Sequence, residues 1–204
     1  MKLFTSPTTP YGRKVRIVAT IKGVDRDIAF LEADTNPPGN AELMKHNPLG
    51  KIPVLVLDDG TRVFDSRVIC EHLDTLGGPG APRMFPEPWP ERMAVLTLGA
   101  LADGIAEAGI LIFYESRFRP VEQHNGGWLA RQQTRIDSAL DFLDADPPAW
   151  KTHPDYGHIA LAAALGHLDL RHGGRWRKDR PRLTNWLDHF GNEVPSYAET
   201  TPPA

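Results

Sequence analysis

The chain has 204 residues, of which 41% are hydrophobic and 24% charged, with a formal net charge of −3. That is an ordinary soluble composition, with apolar material for one large or two small cored domains. No basic stripe is visible, which argues against a nucleic-acid partner, and the single cysteine, Cys70, excludes an intrachain disulfide framework and a thiolate metal cluster.

Met1 runs straight into the strand-like Leu3-Phe4 with no charged-then-apolar leader. No stretch reaches the roughly 18 apolar residues of a membrane span. A cytoplasmic location without a membrane partner is expected. Lys2 to Thr5 reads as a first strand. Pro7 and Pro10 then break the chain, and Pro10 suits the first turn of a helix, where its missing N–H costs nothing. Val15, Val18, Ala19 and Ile21 mark one face of a helix from Tyr11 to Lys22, with Gly23 as its stop. Asp27 to Ala33 reads as a second strand, with Ile28 and Phe30 alternating. A loop or short helix follows. Val54 to Leu57 is an apolar run suited to a buried strand. Asp59-Gly60 reads as a two-residue hairpin turn, with Thr61 to Phe64 as the returning strand. Asp65-Ser66 opens a helix to about Leu76. This order of elements resembles a thioredoxin-like α/β layer.

Gly77 to Pro90 is rich in Gly and Pro and reads as a linker. Beyond it the strand signal disappears. Helical patterns run over Glu91 to Phe118, over Trp128 to Leu143, and through Leu183, Trp186, Leu187 and Phe190. Ile159 to Leu170 is apolar almost all round and is expected to be a buried central helix. The predicted organisation is an α/β domain over 1–78, a linker over 79–90 and an all-α domain over 91–204.

The most informative string is His46-Asn47-Pro48-Leu49-Gly50-Lys51-Ile52-Pro53-Val54-Leu55. On its own it describes a tight loop entering a strand, and an X–Pro bond is cis in only about 5% of cases. Phe64-Asp65-Ser66-Arg67-Val68-Ile69 on its own is a helix cap. Together, at this spacing, the two strings resemble the glutathione transferase superfamily. The resemblance implies a cis Pro53. It implies that Lys51 and Ile52 border glutathione, with the Ile52 backbone pairing with the cysteinyl backbone of the tripeptide. It also implies that Asp65 and Ser66 hold the γ-glutamyl end, at a helix N-terminus whose free N–H groups suit a carboxylate.

Thiol chemistry then needs a hydrogen-bond donor at the start of the first helix. A free cysteine-like thiol has a pKa of about 8.5, and lowering it by two units takes about 2.7 kcal/mol of preference for the anion. The candidates lie in Ser6-Pro7-Thr8-Thr9-Pro10-Tyr11. Bacterial members with a similar stretch place Ser or Thr where Thr9 stands, which puts Thr9 first. Ser6 and Tyr11 are the alternatives, Thr8 a further hydroxyl, and capping and turn formation the plain use of all four.

Cys70, inside the helix after Ser66, is expected to be a buried structural thiol. The histidines show no metal-ligand spacing, so no metal is expected. The resemblance gives Asp103, on the first long helix, a contact with the glutathione amine across a dimer. Tyr114 and Arg117 could border a cleft for an electrophile. The family's Ser/Thr-x-x-Asp cap of the central helix is expected at His158-Ile159-Ala160-Leu161, where both polar positions differ.

Three functions are compatible with these residues. The first is a homodimeric glutathione transferase conjugating a small electrophile, a detoxification chemistry. The second is a glutathione-dependent disulfide reductase without an enzyme cysteine. The third is a non-catalytic binding protein that keeps the fold.

Overall fold

The computed structural model describes residues 1–203. The chain forms two compact units, Met1–Arg92 together with Ser196–Pro203, and Met93–Pro195. The closing segment, read from the sequence as part of the helical half, therefore belongs with the α/β half.

The first unit is built on a four-stranded sheet: β1 (Lys2–Thr5), β2 (Ala29–Glu32), β3 (Val54–Val56) and β4 (Arg62–Val63), in the order β2-β1-β3-β4. β1 runs parallel to β2 and antiparallel to β3, and β3 is antiparallel to β4. β2 is shorter than the sequence pattern suggested. Phe30 and Leu31 are exposed, whereas the flanking Ile28 and Ala33 are buried. The β3–β4 turn has three residues rather than two: Leu57 N–H donates to Thr61 O, Gly60 N–H donates to Leu57 O, and Gly60 takes the positive φ of 85° that closes it.

Side chains alternate across the sheet. Val54 and Val56, with Phe4, pack on Leu43 of α2 (Ala41–His46) and on Ala33 and Ile52. Leu3 and Leu55, fully buried, point to the opposite face, where α3 (Ser66–Leu76) packs on β3 and against α1 (Pro10–Ile21). Cys70 is buried in α3. Behind α1, Lys22 Nζ donates to Asp74 Oδ1 at 3.1 Å and to Pro82 O at 2.9 Å. Asp74 also accepts from the Met84 and Phe85 N–H groups. A buried charge needs such a full set of partners, and this one ties α1, α3 and the following loop together.

The second unit holds most of α4 (Trp89–Phe118), then α5 (Gly126–Ala145), α6 (Tyr156–His172) and α7 (Pro181–Glu193); α8 (Pro195–Glu199) closes the chain. α6 is the buried centre. Its cap corrects the sequence reading. The N-cap is Asp155, three residues before the expected position, and His158 stands at the third helical residue of an intact capping box. The Asp155 side chain accepts the His158 N–H at 3.1 Å, and His158 Nδ1 lies 2.7 Å from Asp155 Oδ1. The cap is present in different residue types, not lost.

A second correction concerns α4. It has an 18-residue window of mean hydropathy 1.7, long and apolar enough by composition to cross a membrane, contrary to the expectation that no stretch reaches that mark. Within the second unit its small residues serve packing instead. A Cβ on Gly99 would meet the Tyr156 ring at 2.5 Å, and one on Gly157 of α6 would meet Leu98 at 3.0 Å. The two helices approach closely because glycine faces each contact.

Candidate active site

The strand register decides where the flagged residues fall. Phe4 pairs with Val54 and Leu55 with Val63. One step further along each ladder, the segment after β1, the Ile52-Pro53 entry to β3 and the exit from β4 at Phe64-Asp65 all lie at the same end of the sheet. α1 and α3 both begin there. Three stretches more than ten residues apart thus converge in the first unit.

The entry to β3 is shaped by its own sequence. Asn47 is buried and closes the loop: its Nδ2 donates to Lys51 O at 2.9 Å, and its Oδ1 accepts from Leu49 N–H at 3.1 Å. Gly50 N–H donates to Asn47 O, and Gly50 has a φ of 60°. Pro48 takes the second place of this turn, which suits its fixed φ. Lys51 is exposed, Ile52 half-buried and Pro53 buried, and the Ile52–Pro53 bond is cis. Asn47 went unflagged in the sequence reading, although Asn-Pro-x-Gly is itself a turn signature.

Asp65 is the N-cap of α3 and spends one carboxylate oxygen on Arg67 N–H at 3.0 Å. Ser66 is the first helical residue and is buried, while Asp65 is exposed. By position the Ser66 N–H has no partner within the helix, and the helix dipole places partial positive charge there. An anion fits this end of the sheet.

Thr9 is the N-cap of α1, with Pro10 at the first helical position. Its hydroxyl makes no cap hydrogen bond. Ser6 is differently placed: its Oγ lies 3.3 Å from the Thr8 hydroxyl and accepts the Thr8 N–H at 3.5 Å, inside a local turn. The Tyr11 ring lies in the first helical turn with Lys14 Nζ 5.4 Å from its centroid. Of these hydroxyls, that of Ser6 is tied into the local turn, whereas that of Thr9 is not used to cap the helix it opens.

Next along α1, Arg13 is buried, and its guanidinium lies 4.0 Å from the centroid of the Tyr197 ring. It donates to Tyr197 O at 2.8 Å and to Thr200 Oγ1 at 3.4 Å. The closing segment is thereby fastened to the turn of α1 that follows Thr9. Asp103, Tyr114 and Arg117 are on α4 in the second unit, Asp103 half-buried and the other two exposed.

The molecule is thus a two-unit protein, a thioredoxin-like α/β unit with an anion-suited helix start followed by an all-helical unit. The comparisons narrow it. The profile of the glutathione S-transferase N-terminal domain matches residues 8–76, and that of the C-terminal domain matches residues 126–189. The chain is 36% identical over 210 residues to the "Uncharacterized GST-like protein YibF" of Escherichia coli strain K12, spanning 100% of this chain and 99% of that protein. A glutathione transferase family member from Pseudomonas fluorescens Pf-5, solved with bound glutathione, superposes with a TM-score of 0.94 at 39% identity, covering 100% of this chain and 99% of the other. A glutathione S-transferase from Methylobacillus flagellatus KT with bound glutathione gives 0.88 at 32% identity, covering 99% of each. The chain belongs to the glutathione S-transferase family.

Proposed function

We propose that the chain binds glutathione across the convergent end of the sheet and uses the bound thiolate against a small electrophile. The observation that carries this reading is the register, which gathers Ser6–Thr9, Ile52-Pro53 and Asp65-Ser66 at one end of one unit. The Ile52 main chain pairs with the cysteinyl backbone of the tripeptide, beside Lys51. The Ser66 N–H and hydroxyl take the γ-glutamyl carboxylate, and Asp65 takes the ammonium beside it. Relatives solved with glutathione support the choice of ligand.

The chemistry asked of the protein is modest. Thr9 donates its hydroxyl hydrogen to the sulfur, which favours thiolate over thiol, and the start of α1 adds partial positive charge. The thiolate then attacks the electrophile and its leaving group departs. In keeping with this reading the protein is a cytoplasmic homodimer, with Asp103 of a second copy near the glutathione amine. Thr9→Val, which keeps the shape and removes the donor, tests the role of Thr9. By ultraviolet difference absorbance, bound thiol in the unaltered protein ionises well below the free value of about 8.5, and in Thr9→Val it returns towards it. Equal ionisation in both proteins contradicts the assignment.

A second reading, disulfide exchange, is compatible with a buried Cys70 and hydroxyls at the start of α1. Any exchange with a disulfide would therefore use glutathione's own sulfur, the thiolate attacking one sulfur and expelling the other as a thiolate. Faster turnover of hydroxyethyl disulfide than of an aryl halide selects this reading; the reverse selects conjugation. The changed polar positions at His158 are no argument for a non-catalytic protein, because Asp155 caps α6.

A further inference from the structure

Threonine branches at Cβ, so fixing its methyl group also fixes where its hydroxyl points. At Thr9 the methyl is held. Gly12 lies one turn further along α1, on the same face. A Cβ built on Gly12 would stand 2.8 Å from Thr9 Cγ2 and 1.9 Å from Thr5 Oγ1. The space a side chain would need is filled by the Thr9 methyl and the Thr5 hydroxyl.

Backbone conformation does not explain this glycine, since its φ is not positive. Glycine inside a helix costs about 1 kcal/mol relative to alanine, so another reason must hold it there, and the notch is that reason. The Thr5 hydroxyl is buried and makes no hydrogen bond among the described residues. It therefore forms part of the wall of the notch and not part of a polar network. With its methyl seated against Gly12, Thr9 turns its hydroxyl elsewhere, and that hydroxyl is not spent on the helix cap.

We propose that Gly12 is a positioning residue that selects the rotamer of Thr9, seating its methyl and leaving its hydroxyl free to donate to a bound sulfur. The inference rests on the reading of Thr9 as the donor to the glutathione thiol. It adds that threonine serves here because its methyl is an anchor that serine lacks.

The test is a cycle in a Thr5→Ala background, which removes the closer of the two clashes. Gly12→Ala is introduced with Thr9 retained and again with Thr9→Ser. The readouts are the apparent pKa of the bound thiol and, by calorimetry, glutathione affinity. With Thr9 present, Gly12→Ala raises the bound-thiol pKa by about one unit, a roughly tenfold loss of thiolate, with a smaller change in affinity. With Ser at position 9 the shift falls to a few tenths of a unit at most, because no methyl competes for the space.

Equal shifts in both backgrounds overturn the positioning role. If the Thr5→Ala/Gly12→Ala protein does not fold, Thr9→Ser alone decides. An unanchored hydroxyl must leave the bound thiol less acidic than in the unaltered chain, and an unchanged pKa overturns the proposal. Thr9→Val separates the two layers. If it leaves the thiol as acidic as before, the donor assignment falls and the positioning role with it. If it raises the pKa while the cycle shows no coupling, the positioning role alone falls.

Discussion

Asp155 caps α6 with one carboxylate and meets three donors. Burial opposes its ionisation. Against that, the side-chain hydrogen bond and charge of His158, the Lys151 ammonium at 2.7 Å and the His158 N–H bring its pKa down to about 2 from an ordinary 3.8. The sign follows. A depressed carboxyl pKa contributes stability that is complete above its ordinary value and is lost as pH falls through about 2. The predicted outcome is that Asp155→Asn, which keeps a capping oxygen, loses on the order of 2 kcal/mol near neutrality and shows a flatter stability profile between about pH 4 and 2. Denaturant midpoints against pH for the two proteins measure this, and parallel profiles contradict it. The same residues show where reading by residue type falls short. A capping box is sought as Ser or Thr with Glu or Gln three places on, and here Asp155 and His158 occupy those two positions with other side chains. The helix start beside Thr9 was legible because Pro10 marks it, whereas Thr9 itself was put first only by the resemblance. Gly12 left a trace too, an unforced glycine inside a helical pattern, but the neighbour filling its space lies across the β1–α1 loop and no local rule names it.

At the scale of elements, the long helices and the α3 cap were legible because apolar spacing and capping are local. The errors sit where tertiary packing decides. β2 stops short of its expected range and exposes Phe30 and Leu31, as alternation alone cannot tell an edge strand's faces apart. α4 looks polar enough to be unremarkable at its ends, yet its middle passes for a membrane span. Its use lies in the glycines that face α6. Tyr156 is fully buried, and the nearest atom of its ring is 2.5 Å from where a Gly99 Cβ would stand. Gly99→Ala gains helix propensity of about 1 kcal/mol but forces α4 and α6 apart, and overpacking of this kind costs roughly 1–3 kcal/mol. A net loss of stability is predicted, read as a lower thermal midpoint. The exposed Gly104 on the same helix, which has open space around it, should be stabilised by the same change. If Gly99→Ala is as stable as Gly104→Ala, the close approach of the two helices is contradicted.

Over the whole molecule, the succession of an α/β half and a helical half could be read from the switch in periodicity near residue 90. The return of Ser196–Pro203 to the first unit could not. It depends on Arg13 meeting the Tyr197 carbonyl, a contact spanning 184 residues of sequence, and neither residue signals the other. The site shows the same division. Its parts were legible as motifs, while their convergence follows from strand register, which places the starts of α1 and α3 and the entry to β3 at one end of the sheet. A crystal structure of the unaltered chain grown with glutathione tests that convergence most directly. The account predicts the cysteinyl backbone paired with Ile52 at about 2.7–3.2 Å, the γ-glutamyl carboxylate on the Ser66 N–H, and the sulfur on the Thr9 hydroxyl. A tripeptide bound elsewhere, or a sulfur resting on Ser6 or Tyr11 with Thr9 turned away, would contradict it.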